Sequence, residues 1–135
     1  MKNLILILLF IPVFVFSQNK KEEKKATKSA KTWLLKIDNG QYLESWDTAA
    51  KYFQDIIQAD RWSATLNAIR VPLGKLNSRK LNSSDYNVEL PGAPDGNYYK
   101  LTFDVVYEKK QSATETVILL QGDDGIWRVV SFFIK

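Results

Sequence analysis

The sequence predicts an α+β domain: N-terminal helices, about three of them, packed on a curved antiparallel sheet of about four strands with a cone-like outline. Two observations carry this. Apolar residues recur at helical spacing up to about residue 70, and beyond Gly74 the period switches from 3.6 to 2. The dense turn chemistry of the second half, PGAPDGN and DDG, then separates consecutive strands instead of crossover units.

The first stretch is set apart. Lys2 is followed by an apolar run from Leu4 to Phe16, then by Ser17 and Gln18. A charged start, an apolar segment and a small residue at the end describe a signal peptide, with cleavage expected between Ser17 and Gln18. The run is shorter than the ~20 residues that span a bilayer. The expected organisation is a signal peptide over 1–17, a basic flexible linker over 18–26, and a single α+β domain over 27–135. With no cysteine in the chain, a lipid-anchored thiol and a disulfide are both ruled out. The expected location is periplasmic or secreted, with no integral membrane anchor after cleavage.

The domain elements follow in order. Ala26, Ala30, Trp33, Leu34 and Ile37 make the apolar face of a helix starting near Thr27, which Asp38-Asn39-Gly40 ends. Tyr42, Trp46, Ala49, Ala50, Phe53, Ile56 and Ile57 make a second stripe, with Asp47 and Lys51 as an i,i+4 pair on its outer face. Asp60 is expected to cap a third helix carrying Trp62, Leu66 and Ile69 inward. Pro72 is expected to stop this helix and hold Val71 extended.

Strands follow. Tyr86, Val88 and Leu90 alternate with polar residues, as do Tyr99, Leu101, Phe103, Val105 and Tyr107. Thr114–Gln121 is a further strand after a KKQSA loop. The last, Ile126–Ile134, is apolar on both faces, with Ile126, Val130, Phe132 and Ile134 on one and Trp127, Val129 and Phe133 on the other. Its second face needs cover, from within the chain or from a homodimer partner.

Net charge is +4, but it is unevenly placed. Residues 18–31 hold six lysines and two glutamates, whereas residues 32–135 hold twelve basic and thirteen acidic residues. A nearly neutral domain argues against a nucleic-acid partner.

The absence of His and Cys removes the usual nucleophile–histidine systems and the usual zinc ligands. No glycine pattern forms a phosphate loop, and no carboxylate run has calcium-loop spacing. No cofactor, metal site or catalytic residue is assigned. Trp62, Tyr99 and Trp127 are candidates to line a small pocket between helices and sheet. Arg70, Arg79 and Glu115 are candidates for either a clamp between the layers, through pairing of an arginine with Glu115 or Asp60, or an anion site at a pocket mouth.

The order W-L-x-x-I-D-N-G-x-Y-x-x-S-W (Trp33–Trp46), W-x-x-x-L-x-x-x-R-x-P-L-G (Trp62–Gly74), S-R (Ser78, Arg79), L-P-G-A-P-D-G-x-Y (Leu90–Tyr98), E-T-V (Glu115–Val117) and D-G-x-W-R-V (Asp124–Val129) resembles the bacterial domain of unknown function family 4019. That resemblance implies an exported bacterial protein. It also implies a helix-then-sheet order similar to the nuclear transport factor 2 and cystatin-like cone fold, and it carries no activity or cofactor with it. Ser131-Phe132 stands where the family usually has Gly-Tyr. The expected function is a non-enzymatic binding or interaction module for an unknown small molecule or protein. The alternatives are a small enzyme using Asp or Tyr for proton transfer, and a homodimerising structural module of the cell envelope.

Overall fold

The computed structural model describes residues 14–135, with side-chain surroundings from residue 19 onward. Most of the expected signal peptide therefore lies outside the described residues. Helix α1 spans Phe14–Asp38, α2 Tyr42–Asp47, α3 Lys51–Ile56 and α4 Ala59–Arg70, followed by a 3₁₀ turn over Val71–Leu73. Strands β1 (Leu76–Asn87), β2 (Tyr98–Tyr107), β3 (Lys110–Gln121) and β4 (Trp127–Ile134) form one antiparallel meander in the order β1-β2-β3-β4. The architecture is α+β, helices first and an open four-stranded sheet after them. Among the described residues no helix is long and apolar enough to cross a membrane.

Helix α1 is longer than its apolar stripe suggested. Residues 18–26, expected as a linker, are helical, and Ala26 is fully buried. The lysines there are good helix formers, and one face of the segment packs inward. The helix ends in a Schellman motif: Gln41 N–H donates to the Lys36 carbonyl, Gly40 N–H donates to that of Ile37, and Gly40 takes φ +75°.

The expected second helix is two. The chain breaks over Thr48–Ala50, where Ala50 becomes extended and its N–H donates to the Val129 carbonyl at 2.9 Å. This bond to the sheet replaces one helical bond and seats Ala49 and Ala50 against the core. The break also re-pairs the charges, so Lys51 bonds Asp55 one turn on, not Asp47.

Two details of the joint into the sheet depart from expectation. Asp60 is not the cap of α4; Gln58 precedes the helix, and the Asp60 carboxylate accepts from Arg61 N–H within the first turn. Val71 stays helical at φ −57°, ψ −46°, because Pro72 sits early in a 3₁₀ turn, where its missing N–H costs nothing. The chain changes direction at Gly74, with φ +73°, ψ −156°, a region essentially reserved for glycine.

The core lies between the helices and one face of the sheet. Leu101, Phe103, Val105 and Tyr107 of β2 meet Trp33, Leu34 and Ile37 of α1 and Leu66 of α4. A β-bulge at Val130 corrects the expected sidedness of β4. Trp127 and Val129 share the core face with Phe132 and Ile134, while Val130 turns to the opposite face. That opposite face is covered from within the chain at one end. Tyr98 and Val130 pack there with Ala50, Tyr52, Leu90 and Ala93, and the Tyr52 hydroxyl donates to the Gly92 carbonyl at 2.9 Å. Val88 and Leu90 accordingly lie beyond the end of β1, where Leu90 packs into this cover and Val88 stays exposed.

Candidate functional site

The sequence-predicted residues separate into three places. Arg70, Arg79 and Glu115 form a buried ion network together with Asp38 and Tyr107. Trp62 belongs to the helical core. Tyr99 and Trp127 line a cleft at the opposite end of the sheet.

The network is built from five elements. Asp38 ends α1, in helical register with Ala30 and Leu34, which turns its carboxylate inward. Arg79 enters from β1, Glu115 from β3, Tyr107 from β2, and Arg70 from the last turn of α4. Arg79 donates through Nε to Glu115 Oε2 at 2.6 Å and through Nη2 to Oε1 at 3.0 Å. It also donates through Nη1 and Nη2 to Asp38 at 2.7 and 3.0 Å. Arg70 Nη1 reaches Asp38 Oδ1 at 3.0 Å, and its guanidinium lies 4.9 Å above the Tyr107 ring. The Tyr107 hydroxyl donates to Glu115, whose side chain is 0% exposed.

Two cations face two anions, so the network is neutral. Burial works against the Arg79 charge, but the hydrogen bonds to Asp38 and Glu115 outweigh it and raise its pKa. Burial first, and then the bond to Glu115, raise that of Tyr107. Bidentate pairing on both sides of one guanidinium is the geometry of a clamp between layers. Asp60 takes no part in it. Asp38 and Tyr107 were not read from the sequence as members. The i,i+4 spacing of Ala30, Leu34 and Asp38 was the one available signal.

Trp62 sits among Trp33, Phe53 and Phe132, with ring centroids 4.9–6.4 Å apart. Its indole N–H donates at 2.9 Å to the hydroxyl of Ser45, itself 0% exposed. The Trp33 indole donates to the Ser45 carbonyl at 2.7 Å. One serine thus satisfies two buried tryptophans, as buried polar groups require. Trp62 does not reach the cleft that holds Tyr99 and Trp127.

That cleft, of about 250 Å³, is lined by Asn19 and Glu22 from α1, Tyr86 from β1, Tyr99 from β2, Gln121 from β3 and Trp127 from β4, with Asn97 at its rim. The three rings stand in sequence, Tyr86 to Tyr99 at 5.5 Å and Tyr99 to Trp127 at 5.1 Å between centroids. Cross-strand pairing of Tyr86 with Tyr99 puts both on the helix side of the sheet. The polar groups form a chain. Trp127 Nε1 and Gln121 Nε2 donate to Glu22 Oε2 at 2.8 and 3.1 Å, Asn97 donates to Gln121 at 3.2 Å, and the Tyr86 hydroxyl donates to Asn97. The Tyr99 hydroxyl donates to the Asn19 carbonyl at 3.0 Å. The Trp127 indole, helped by Lys25, holds the Glu22 carboxyl below the usual range against its partial burial. Tyr86 remains half exposed, so a ring face is open to solvent.

Glu22, Tyr86, Asn97 and Gln121 escaped the sequence reading. Glu22 is spaced four residues before Ala26 and eight before Ala30, which places it on the apolar stripe of α1. That spacing was its signal; treating 18–26 as linker hid it.

No curated protein matches the sequence significantly. A solved 2.5 Å structure from Catenulispora acidiphila is similar to this chain with a TM-score of 0.60 at 15% identity, covering 89% of this chain and 94% of that one. At that identity the likeness is one of fold. A family model described as "Protein of unknown function (DUF4019)" matches residues 29–132, and the chain belongs to that family.

Proposed function

We propose that the protein is an exported, non-enzymatic binding module whose ligand occupies the cleft between the N-terminal part of α1 and the Tyr86–Tyr99–Trp127 end of the sheet. One observation carries this reading. Three aromatic rings in contact, from β1, β2 and β4, wall a cleft into which the Glu22 carboxylate of α1 and the carboxamides of Asn97 and of Gln121 on β3 converge. Such a mix of ring faces and a few fixed polar groups is how small-molecule sites are built. It suits a compact ligand with an apolar face and hydrogen-bond donors, the donors meeting Glu22 and the carboxamide oxygens. Export rests on Lys2, the apolar run to Phe16 and Ser17.

A binding role is favoured over proton-transfer catalysis by the state of the carboxyl groups. Glu115 is held by Arg79 and Tyr107, and Glu22 and Asp124 are both held below the usual carboxylate range. A general base working near neutrality needs the opposite displacement.

The test is a thermal-shift screen of the purified protein against metabolites, lipids and peptidoglycan fragments, with Trp127 fluorescence as second readout. A hit that stabilises the protein and loses its effect in Tyr86→Ala supports the cleft. An empty screen, or hits indifferent to that substitution, would overturn the proposal.

A further inference from the structure

Strand β1 is the edge of the sheet opposite β4. Among the described residues, no backbone hydrogen bond from outside the β1–β2 ladder reaches Leu76–Asn87, and none of these twelve residues is buried. At the other edge, by contrast, the Val129 carbonyl already accepts from Ala50. A long exposed edge is a template for another strand, which proteins commonly blunt with proline, charge or a bulge. β1 has no proline, but it has two exposed charges, Lys80 and Asp85, with a bulge between them.

The bulge decides which residues share a face. Leu81 and Ser84 lie opposite Phe103 and Leu101, both fully buried in the core, so they face the helices. Lys80 and Asp85 lie opposite Asp104 and Lys100, and all four are exposed on the other face of the sheet. An odd spacing of five would put residues 80 and 85 on opposite faces of a regular strand. The extra residue, Asn82, brings them to the same one.

We propose that β1 pairs antiparallel with β1 of a second copy of this chain, about a two-fold axis between Asn82 and Ser83. Lys80 then lies opposite the partner's Asp85, Leu81 opposite the partner's Ser84, and Arg79 opposite the partner's Tyr86, each pair on one face of the joined sheet. Across the seam the outer face reads Asp104, Lys80, the partner's Asp85 and the partner's Lys100, four charges alternating in sign. The symmetry repeats the row, as an isologous contact must. Opposite charges on paired strands attract, and like charges directly opposite repel. A two-fold centred on Lys80 or on Asp85 would set like charges together. Sliding the partner by one residue would set Lys80 against the partner's Ser84 or Tyr86, an outward residue against an inward one. The bulge and the charge order therefore select the same register, and the partner they select is this strand itself.

Sedimentation velocity of the purified protein from about 1 μM to 1 mM tests the pairing. The expected result is a reversible dimer, with amide exchange along β1 slowing as concentration rises and exchange along β4 unchanged. Lys80→Asp or Asp85→Lys alone makes both cross-seam pairs repulsive and should weaken dimerisation about tenfold or more. Both sites are exposed, so circular dichroism should remain that of the parent chain. An equimolar mixture of the two variants should restore the dimer, because each chain then meets the opposite charge at both pairs. The double variant Lys80→Asp/Asp85→Lys should dimerise by itself for the same reason. A protein that stays monomeric to about 1 mM would overturn the proposal and leave β1 to a different partner. Single variants that dimerise as the parent does, a mixture that stays monomeric, or a dimer without added protection in β1 would each overturn it as well.

Discussion

Arg79 holds the ion network together, and its removal is the sharpest test of the clamp. Arg79→Met keeps an unbranched side chain but deletes four hydrogen bonds, two to Glu115 and two to Asp38. Asp38 retains Arg70. Glu115, with no solvent exposure, keeps the Tyr107 hydroxyl alone. Stranding one partner of a buried pair costs about 3–5 kcal/mol, a large fraction of the ~5–15 kcal/mol that stabilises a typical domain. At ~3–6 °C per kcal/mol for a domain of this size, Tm should fall by about 10–30 °C. Calorimetry and urea unfolding measure it. Adding Glu115→Gln to Arg79→Met removes the stranded charge and should recover ~1–2 kcal/mol. A loss below about 1 kcal/mol for the single variant, or no recovery in the double, would show that the charges are solvated and that the clamp reasoning fails.

Arg70→Ala should cost less, about 1–3 kcal/mol in urea unfolding, because Asp38 keeps both bonds from Arg79 while Tyr107 loses the overlying guanidinium. Ser45→Ala strands the Trp62 indole N–H in the core and should cost about 1–3 kcal/mol, read by near-UV circular dichroism and thermal melting. Gly74→Ala forces a side chain into φ +73° with its Cβ 2.9 Å from Glu108 Oε2, and should destabilise by about 1–3 kcal/mol. Glu22 has a folded pKa below its usual 4.5, so its contribution is present above that pH and lost as pH falls through the lower folded value. Trp127 emission should titrate in that acid window, and Glu22→Gln should abolish the transition. Tyr107 moves the other way. Its neutral form should persist above pH 10 by ultraviolet titration, with its contribution to stability lost as pH rises toward the raised folded pKa.

What was legible in the sequence was mostly a matter of period. The stripe Ala26, Ala30, Trp33, Leu34 and Ile37 announced the inner face of α1, and all five residues are buried. Alternation from Tyr99 to Tyr107 announced β2 and its core side. The α+β class followed from the change of period, and the family from the order of its motifs. Each signal is local, because backbone geometry alone sets which residues share a face.

The rest depended on the assembled chain. The helix break at Ala50 exists because a strand presents the Val129 carbonyl there. The bulge at Val130 moves Phe132 and Ile134 to the face of Trp127 and Val129 and leaves Val130 on the other, because a one-residue slip inverts any reading by alternation. Asp38 and Glu22 looked like a helix-end residue and a linker residue. Each proved to be a buried or half-buried acceptor, because its partners, Arg79 and Trp127, lie 41 and 105 residues away. Sequence by itself determined the class of fold and which faces seek burial. Which charges meet and which rings converge on one cleft were decided by strand register and helix docking. Pairing energy is realised between groups that only the tertiary structure brings within hydrogen-bonding distance.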